Sequence, residues 1–234
     1  MCTVTYIWAN GRAIITSNRD EHVNRPASLS PQSYIVHGKR LTFPKDPQAG
    51  GTWFVTDEAA NVGVLLNGAA VRHISRGSYV KSRGLVLLDI IAGSSPIETW
   101  HAYNLTGIEP FTIILMQQGK KLYQLRWDFI QKEILVLDAT ENHIWSSSTL
   151  YSKEIQEERK EWLAAFVAGK EDIDAEDMKH FHMYAGNGNE ENGLIINRND
   201  IMKTFSITQT VIEQNKAALF HYDLLEEASF PTHL

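Results

Sequence analysis

Apolar and polar positions alternate with period two over much of the chain, most sharply at its start. Residues 3–9 and 12–16 are rich in β-branched and aromatic side chains and flank Asn10-Gly11, the strongest short-range hairpin signal. A two-residue turn sets Ala9 against Arg12, and counting back along both strands sets Cys2 opposite Arg19; a bulge would turn Arg19 to the other face. From 21 to 51 the pattern weakens, because Pro26, Pro31, Pro44, Pro47 and Gly50-Gly51 interrupt it. This segment is expected to be loop and short strands, suited to facing a substrate. Strands are expected again at 52–56 and 61–66, the second ending on Asn67-Gly68. Residues 78–92 predict a helix apolar on most sides, and Pro96 suits the first turn of a short one. Residues 111–117, 121–127, 133–137 and 143–146 form a predicted β-meander. Ser152 caps a helix whose Ile155, Trp162, Leu163, Phe166 and Val167 recur at helical spacing, and Asp174 caps another ending near Tyr184. A polar loop, 186–193, precedes a closing strand pair at 205–213 and 217–222. Without a linker or repeat, the order of elements predicts one α+β domain, 1–234, with mostly antiparallel strands.

Composition narrows the class. The 234 residues carry 22 basic and 28 acidic side chains, for a net charge of −6 with histidine neutral, and 43% are hydrophobic. That is enough for a sizeable core. Runs of basic residues never exceed two, so the chain lacks the overall electrostatic footprint of a nucleic-acid or anionic-membrane binder. The N-terminus lacks the basic and long apolar regions of a signal peptide. The longest apolar stretch, 84–93, contains Asp89 and is about half the ~20 residues of a spanning helix. A cytoplasmic protein with no membrane span is the expectation. His180 and His182 are two apart on a predicted helix and point in different directions; no histidine cluster has ligand spacing, and no metal site is predicted. One cysteine makes no internal disulfide and no cysteine-rich zinc site.

That cysteine is at position 2. Removal of Met1 would leave an N-terminal residue carrying both a thiol and a free α-amine, a nucleophile and a base together. The amine's ordinary pKa of ~7.7–8.0 leaves a useful fraction unprotonated near neutrality. Arg19, across the hairpin, is expected to lower the thiol pKa, and Asp20 to orient the amine.

The chain resembles the NRDE family, whose eukaryotic member is called transport and Golgi organisation protein 2, and which is similar to the N-terminal nucleophile (Ntn) hydrolases. The resemblance rests on Met1-Cys2-Thr3, Ser17-Asn18-Arg19-Asp20-Glu21, Gly50-Gly51-Thr52-Trp53, residues 61–67 and the serine-rich 145–151. It implies a four-layer αββα sandwich of two mainly antiparallel sheets. In the penicillin V acylase and bile salt hydrolase branch, an N-terminal cysteine attacks a linear amide with help from a nearby Arg and Asp. A later strand supplies an oxyanion-hole Asn, which by motif is Asn67. The branch's second Asn falls on Ser146-Ser147-Ser148, which brings in Ser147. The resemblance thus assigns Cys2, Arg19, Asp20 and Asn67 to catalysis and Asn18, Glu21, Trp53 and Ser147 to substrate binding, with no cofactor.

The implied activity is amide hydrolysis or acyl transfer from a small linear amide or thioester. The other class left open is a non-catalytic carrier of an amphipathic ligand, haem or an acyl-CoA or lipid. Plainer roles stand beside these: a solvated strand end for Arg19-Asp20-Glu21, a core position for Trp53 and a turn at Asn67-Gly68.

Overall fold

The computed structural model describes residues 2–118, 121–226 and 228–233. The opening hairpin is β1 (Cys2–Ala9) and β2 (Arg12–His22), turned at Asn10 and Gly11, both at positive φ. Its register runs from Ala9 opposite Arg12 to Cys2 opposite Arg19 without a bulge between the two strands, as the turn requires. The strands that follow are β3 (Leu29–Val36), β4 (Lys39–Lys45), β5 (Phe54–Asp57) and β6 (Val62–Asn67). Two helices come next, α1 (Arg83–Ala92) and α2 (Pro96–Ala102). Then come β7 (Phe111–Gln117), β8 (Lys121–Trp127), β9 (Lys132–Leu137) and β10 (His143–Ser146). After α3 (Lys153–Ala168) and α4 (Ala175–Tyr184), the chain closes with β11 (Asn197–Arg198), β12 (Met202–Glu213), β13 (Lys216–Asp223) and β14 (Ala228–His233).

Among the described residues these strands form two seven-stranded antiparallel sheets. One runs β10-β1-β2-β12-β13-β14 with β11 on β12, and the other runs β3 to β9 in chain order. Alternation along β1 fixes the layers: Val4 and Tyr6 join the core that includes Phe54, Val64 and Phe111 of the second sheet. Ile7 faces the other way, with Leu163 of α3 and Met178 and Phe181 of α4. Helix α1 covers β4, β5 and β6. The architecture is an αββα sandwich.

The strands expected with loop between 21 and 51 are the hairpin β3-β4. Its prolines are tolerated because β3 is an edge strand and its pairing shifts between Leu29 and Gln32, opposite the part of β4 that holds Pro44. The structure corrects the expectations at three other places. The expected helix 78–92 begins only at Arg83, capped by Ser82. Strand β10 leaves the meander and pairs with β1 instead. Strand β14 had no counterpart in the pattern.

Candidate active site

Cys2, Arg19, Glu21, Trp53 and Asn67 line one cavity of about 150 Å³, together with Arg25, Asp46, Ser82 and Arg83. Two strand ends build its floor. The hairpin register places Cys2 beside Arg19, and Asn67 ends β6. The Gly50-Gly51-Thr52-Trp53 segment builds the wall. Gly50 turns at φ +72°, and a Cβ on Gly51 would lie 2.5 Å from the carbonyl carbon of Gly84. The segment therefore lies against the start of α1, and Thr52 Oγ1 ties it down by donating to Pro44 O at 2.6 Å. Trp53 is buried and is also part of the cavity lining.

Arg19 is almost wholly buried. Its guanidinium lies over the Trp53 ring at 4.5 Å and near Phe205 at 5.7 Å. Phe205 occupies a bulge, since the β2–β12 register shifts between Thr204 and Ser206; such irregularities re-aim side chains beside functional sites. Arg19 Nη2 reaches Asp46 at 3.4 Å and Glu21 at 4.0 Å, while Arg25 donates to Asp46 at 2.7 Å. Two buried N–H donors in this lining, Arg19 Nη1 and Trp53 Nε1, have no hydrogen-bond partner among the described residues. A buried unpaired donor is costly, and these two stand at the cavity that Cys2 lines.

The electrostatics depart from expectation at Cys2. Burial pushes its thiol above the ordinary value and Asp20 and Glu21 push it further, while the charge of the amino terminus and then Arg19 oppose them. Arg19 thus pulls in the expected direction, but burial outweighs it, and the same guanidinium also faces Asp46 and Glu21. For Asp46, burial raises the carboxyl, but the Ala49 N–H and Arg25 outweigh it and hold the group low. Glu21 is likewise held low against its burial, first by the charge of the amino terminus and then by Arg19 and Arg25.

Three expected site residues lie outside the cavity. Strand alternation turns Asn18 to the helix side, where Nδ2 donates to Leu194 O at 2.6 Å and His182 O at 3.1 Å, and Oδ1 meets His182 Nδ1. Asp20 lies on that same side, accepting from Tyr151 Oη at 2.6 Å and Thr204 Oγ1 at 2.8 Å; burial raises its carboxyl. Ser147 acts as a clamp. Its N–H donates to Cys2 O at 3.0 Å and its Oγ to Asn67 O at 2.6 Å, so one residue ties together the strands that carry Cys2 and Asn67.

Beneath Cys2 lies Arg159 of α3, fully buried and not anticipated as a site residue. Nη1 donates to Thr3 Oγ1 at 2.5 Å and Ser146 Oγ at 3.0 Å, Nη2 to Gly193 O at 2.7 Å and Asn192 O at 3.1 Å. Its guanidinium covers Tyr151 at 3.7 Å. A signal existed: Arg159 falls four after Ile155 and four before Leu163, inside the apolar stripe. Arg25, Asp46 and Arg83 carried no comparable signal.

A second cavity, of about 620 Å³, lies between β10 and α3 on one side and β8 and β9 on the other, with Ile144, Trp145, Leu163, Val167, Leu135 and Leu137 in its walls. Gly68 and Ser148 also line it, so the Asn67-Gly68 and Ser146–Ser148 segments lie between the two cavities. Among the described residues no His, Cys, Asp and Glu group could hold a metal ion, and no helix is long and apolar enough to cross a membrane.

The family described as "TANGO2: Transport and Golgi organisation 2" matches residues 1–192. A search of curated proteins found no match. Among solved structures, an N-acylethanolamine-hydrolyzing acid amidase ortholog from Caenorhabditis elegans is similar at 9% identity and a TM-score of 0.58, covering 90% of this chain and 92% of that one. A conjugated bile acid hydrolase from Clostridium perfringens is similar at 9% identity and a TM-score of 0.57, covering 100% and 92%. A penicillin V acylase from Agrobacterium tumefaciens reaches 11% identity and a TM-score of 0.54, covering 100% and 86%. At these identities the likeness is one of fold, the Ntn-hydrolase-like αββα sandwich.

Proposed function

The chain belongs to the Transport and Golgi organisation 2 family, and from that premise we propose that it is an N-terminal-cysteine amidohydrolase or acyltransferase acting on a small linear amide or thioester. The observation that carries this reading is the convergence of Cys2, Arg19, Trp53 and Asn67 on one cavity, with two buried donors in its wall that have no partner among the described residues. Met1, whose removal the reaction requires, lies outside the described residues. Once freed, the Cys2 α-amine accepts the thiol proton as sulfur attacks the carbonyl carbon, so a thiol with a raised pKa still serves. The developing oxyanion accepts hydrogen bonds from the Asn67 amide and a backbone N–H. The C–N bond then breaks, the leaving amine takes the proton from the α-amine, and water or an acyl acceptor resolves the thioester. Arg19 and Trp53 donate to substrate oxygens, while Asp20 acts through the strand rather than by touching substrate.

The experiment is intact-mass analysis after exposure to a panel of N-acyl amides and thioesters. We expect a chain lacking Met1 and an acyl adduct that is lost in Cys2→Ala. Asn67→Ala should slow turnover by about 10²–10³. Retained Met1 in active protein would refute the amine-base step. A processed chain with neither adduct nor turnover would favour a carrier of an amphipathic ligand, the reading supported by the 620 Å³ cavity, with both apolar and polar walls, behind Asn67-Gly68.

A further inference from the structure

Residues 59–88 contain no carboxylate yet hold Arg72, Arg76, Lys81 and Arg83, in a chain whose net charge is −6. Between β6 and α1 the segment 68–82 has neither helix nor strand. Three of its aliphatic side chains stand in solvent: Ile74 at 90% exposure, Val80 at 82% and Val71 at 61%. A single exposed aliphatic residue is ordinary, but a cluster interleaved with cations is the mark of an interaction surface. The loop is also well anchored. Tyr79 stacks on Phe129 at 6.3 Å, and the Arg76 guanidinium lies over the same ring at 3.9 Å. Arg76 N–H donates to Tyr79 Oη at 2.7 Å, and Val80 N–H to Gly107 O at 3.1 Å. Phe129 belongs to the β8–β9 turn, whose next residue, Ile130, is 87% exposed. Lys81 pairs with Asp89, and Arg83 with Glu109 at 2.9 Å; Arg72 and Arg76 carry the outward positive charge.

We propose that the 70–81 loop docks the protein on a lipid bilayer surface rich in anionic headgroups. Ile74 and Val80 enter the interface, and Arg72 and Arg76 meet the phosphates. Each aliphatic side chain that leaves water is worth a factor of about ten or more in partitioning, and each cation at an anionic leaflet about five. Pairing with a second copy across a two-fold axis would set these arginines against themselves, whereas an anionic surface complements them. The loop leads directly into Ser82 and Arg83, which line the Cys2 cavity. Docking therefore sets the mouth of that cavity against the lipid, whatever chemistry Cys2 performs.

Co-sedimentation of the full chain with vesicles tests this, comparing pure phosphatidylcholine with vesicles carrying about 30 mol% phosphatidylserine at ~0.1 M salt. We expect sedimentation with the anionic vesicles and little with the neutral ones. Ile74→Asp and Val80→Asp should each lower binding about tenfold or more, and Arg72→Gln about fivefold. Ile74 is too exposed for its substitution to alter unfolding, so unchanged thermal unfolding accompanies the loss. Three results would each overturn the proposal. They are equal binding to both vesicles, equal binding of the variants, or a dimer in ultracentrifugation that Ile74→Asp abolishes.

Discussion

At the scale of single residues, strand alternation decides which side chains of the opening hairpin share a face with Cys2. Cys2 opposite Arg19 follows from Asn10-Gly11 and strand counting alone. What counting along one strand does not give is which neighbours compete for a charge, so the pull of Asp46 and Glu21 on Arg19 was hidden. The same alternation that aims Arg19 and Glu21 at the cavity sends Asn18 and Asp20 toward the helices, dividing the tetrapeptide into a cavity pair and a supporting pair. Arg159 completes the support as a positioning residue, with four acceptors on three segments of chain. A lysine ammonium cannot span that fork. Arg159→Lys should leave buried carbonyls unpaired and lower stability by about 2–4 kcal/mol, read from urea unfolding. A loss within about 0.5 kcal/mol, as for a surface change, would show that water or a neighbour replaces the guanidinium.

At the scale of elements, capping and periodicity located α3 and α4 well, since Ser152 and Asp174 each accept a hydrogen bond from a first-turn backbone N–H. Edges were harder. Nothing in His143–Ser146 says whether it extends the meander or crosses to β1, because either edge would satisfy its backbone groups. The start of α1 was misplaced for a related reason: Tyr79 and Val80 look like helix interior, but Val80 is held by Gly107 and exposed. The two glycines before Thr52 separate two physical demands. Gly50 needs a positive φ in open space, whereas Gly51 needs the absence of a side chain against the Gly84 backbone. Gly50→Ala should therefore cost about 1–2 kcal/mol. Gly51→Ala should cost more, about 2–4 kcal/mol, because backbone must move, and should also disturb Trp53 in the cavity wall. Equal midpoints for the two variants in urea would mean that α1 shifts freely away from the loop.

At the scale of the whole molecule, alternating strands and amphipathic helices were enough to expect one α+β domain of mostly antiparallel strands, whereas two sheets under helical layers were implied by the family resemblance. Averaged quantities misled where the molecule is uneven, and the net charge of −6 conceals a stretch of thirty residues, 59–88, without a carboxylate. Ionisable groups buried between layers tie the fold to pH in a way that composition does not reveal. His182, between α4 and the first sheet, is pushed down to about 3 by burial and then by Arg159. His221 is lowered to about 4, chiefly by burial. In the unfolded chain both would titrate near ~6.5. Below that value the unfolded state binds more protons than the folded one, so stability is fully present above about 6.5 and falls as pH drops toward 4. The slope approaches about 1.4 kcal/mol per pH unit for each histidine. Asp20, with its raised carboxyl, has the opposite sign and offsets part of the loss, while Asp46 and Glu21, held low, add to it only at more acid pH. Urea midpoints should accordingly fall steadily from neutral pH to about 4.5, and His221→Gln should remove about half of the slope. A flat profile over that range would mean that these histidines take up protons in the folded state, and that the layers around them admit water.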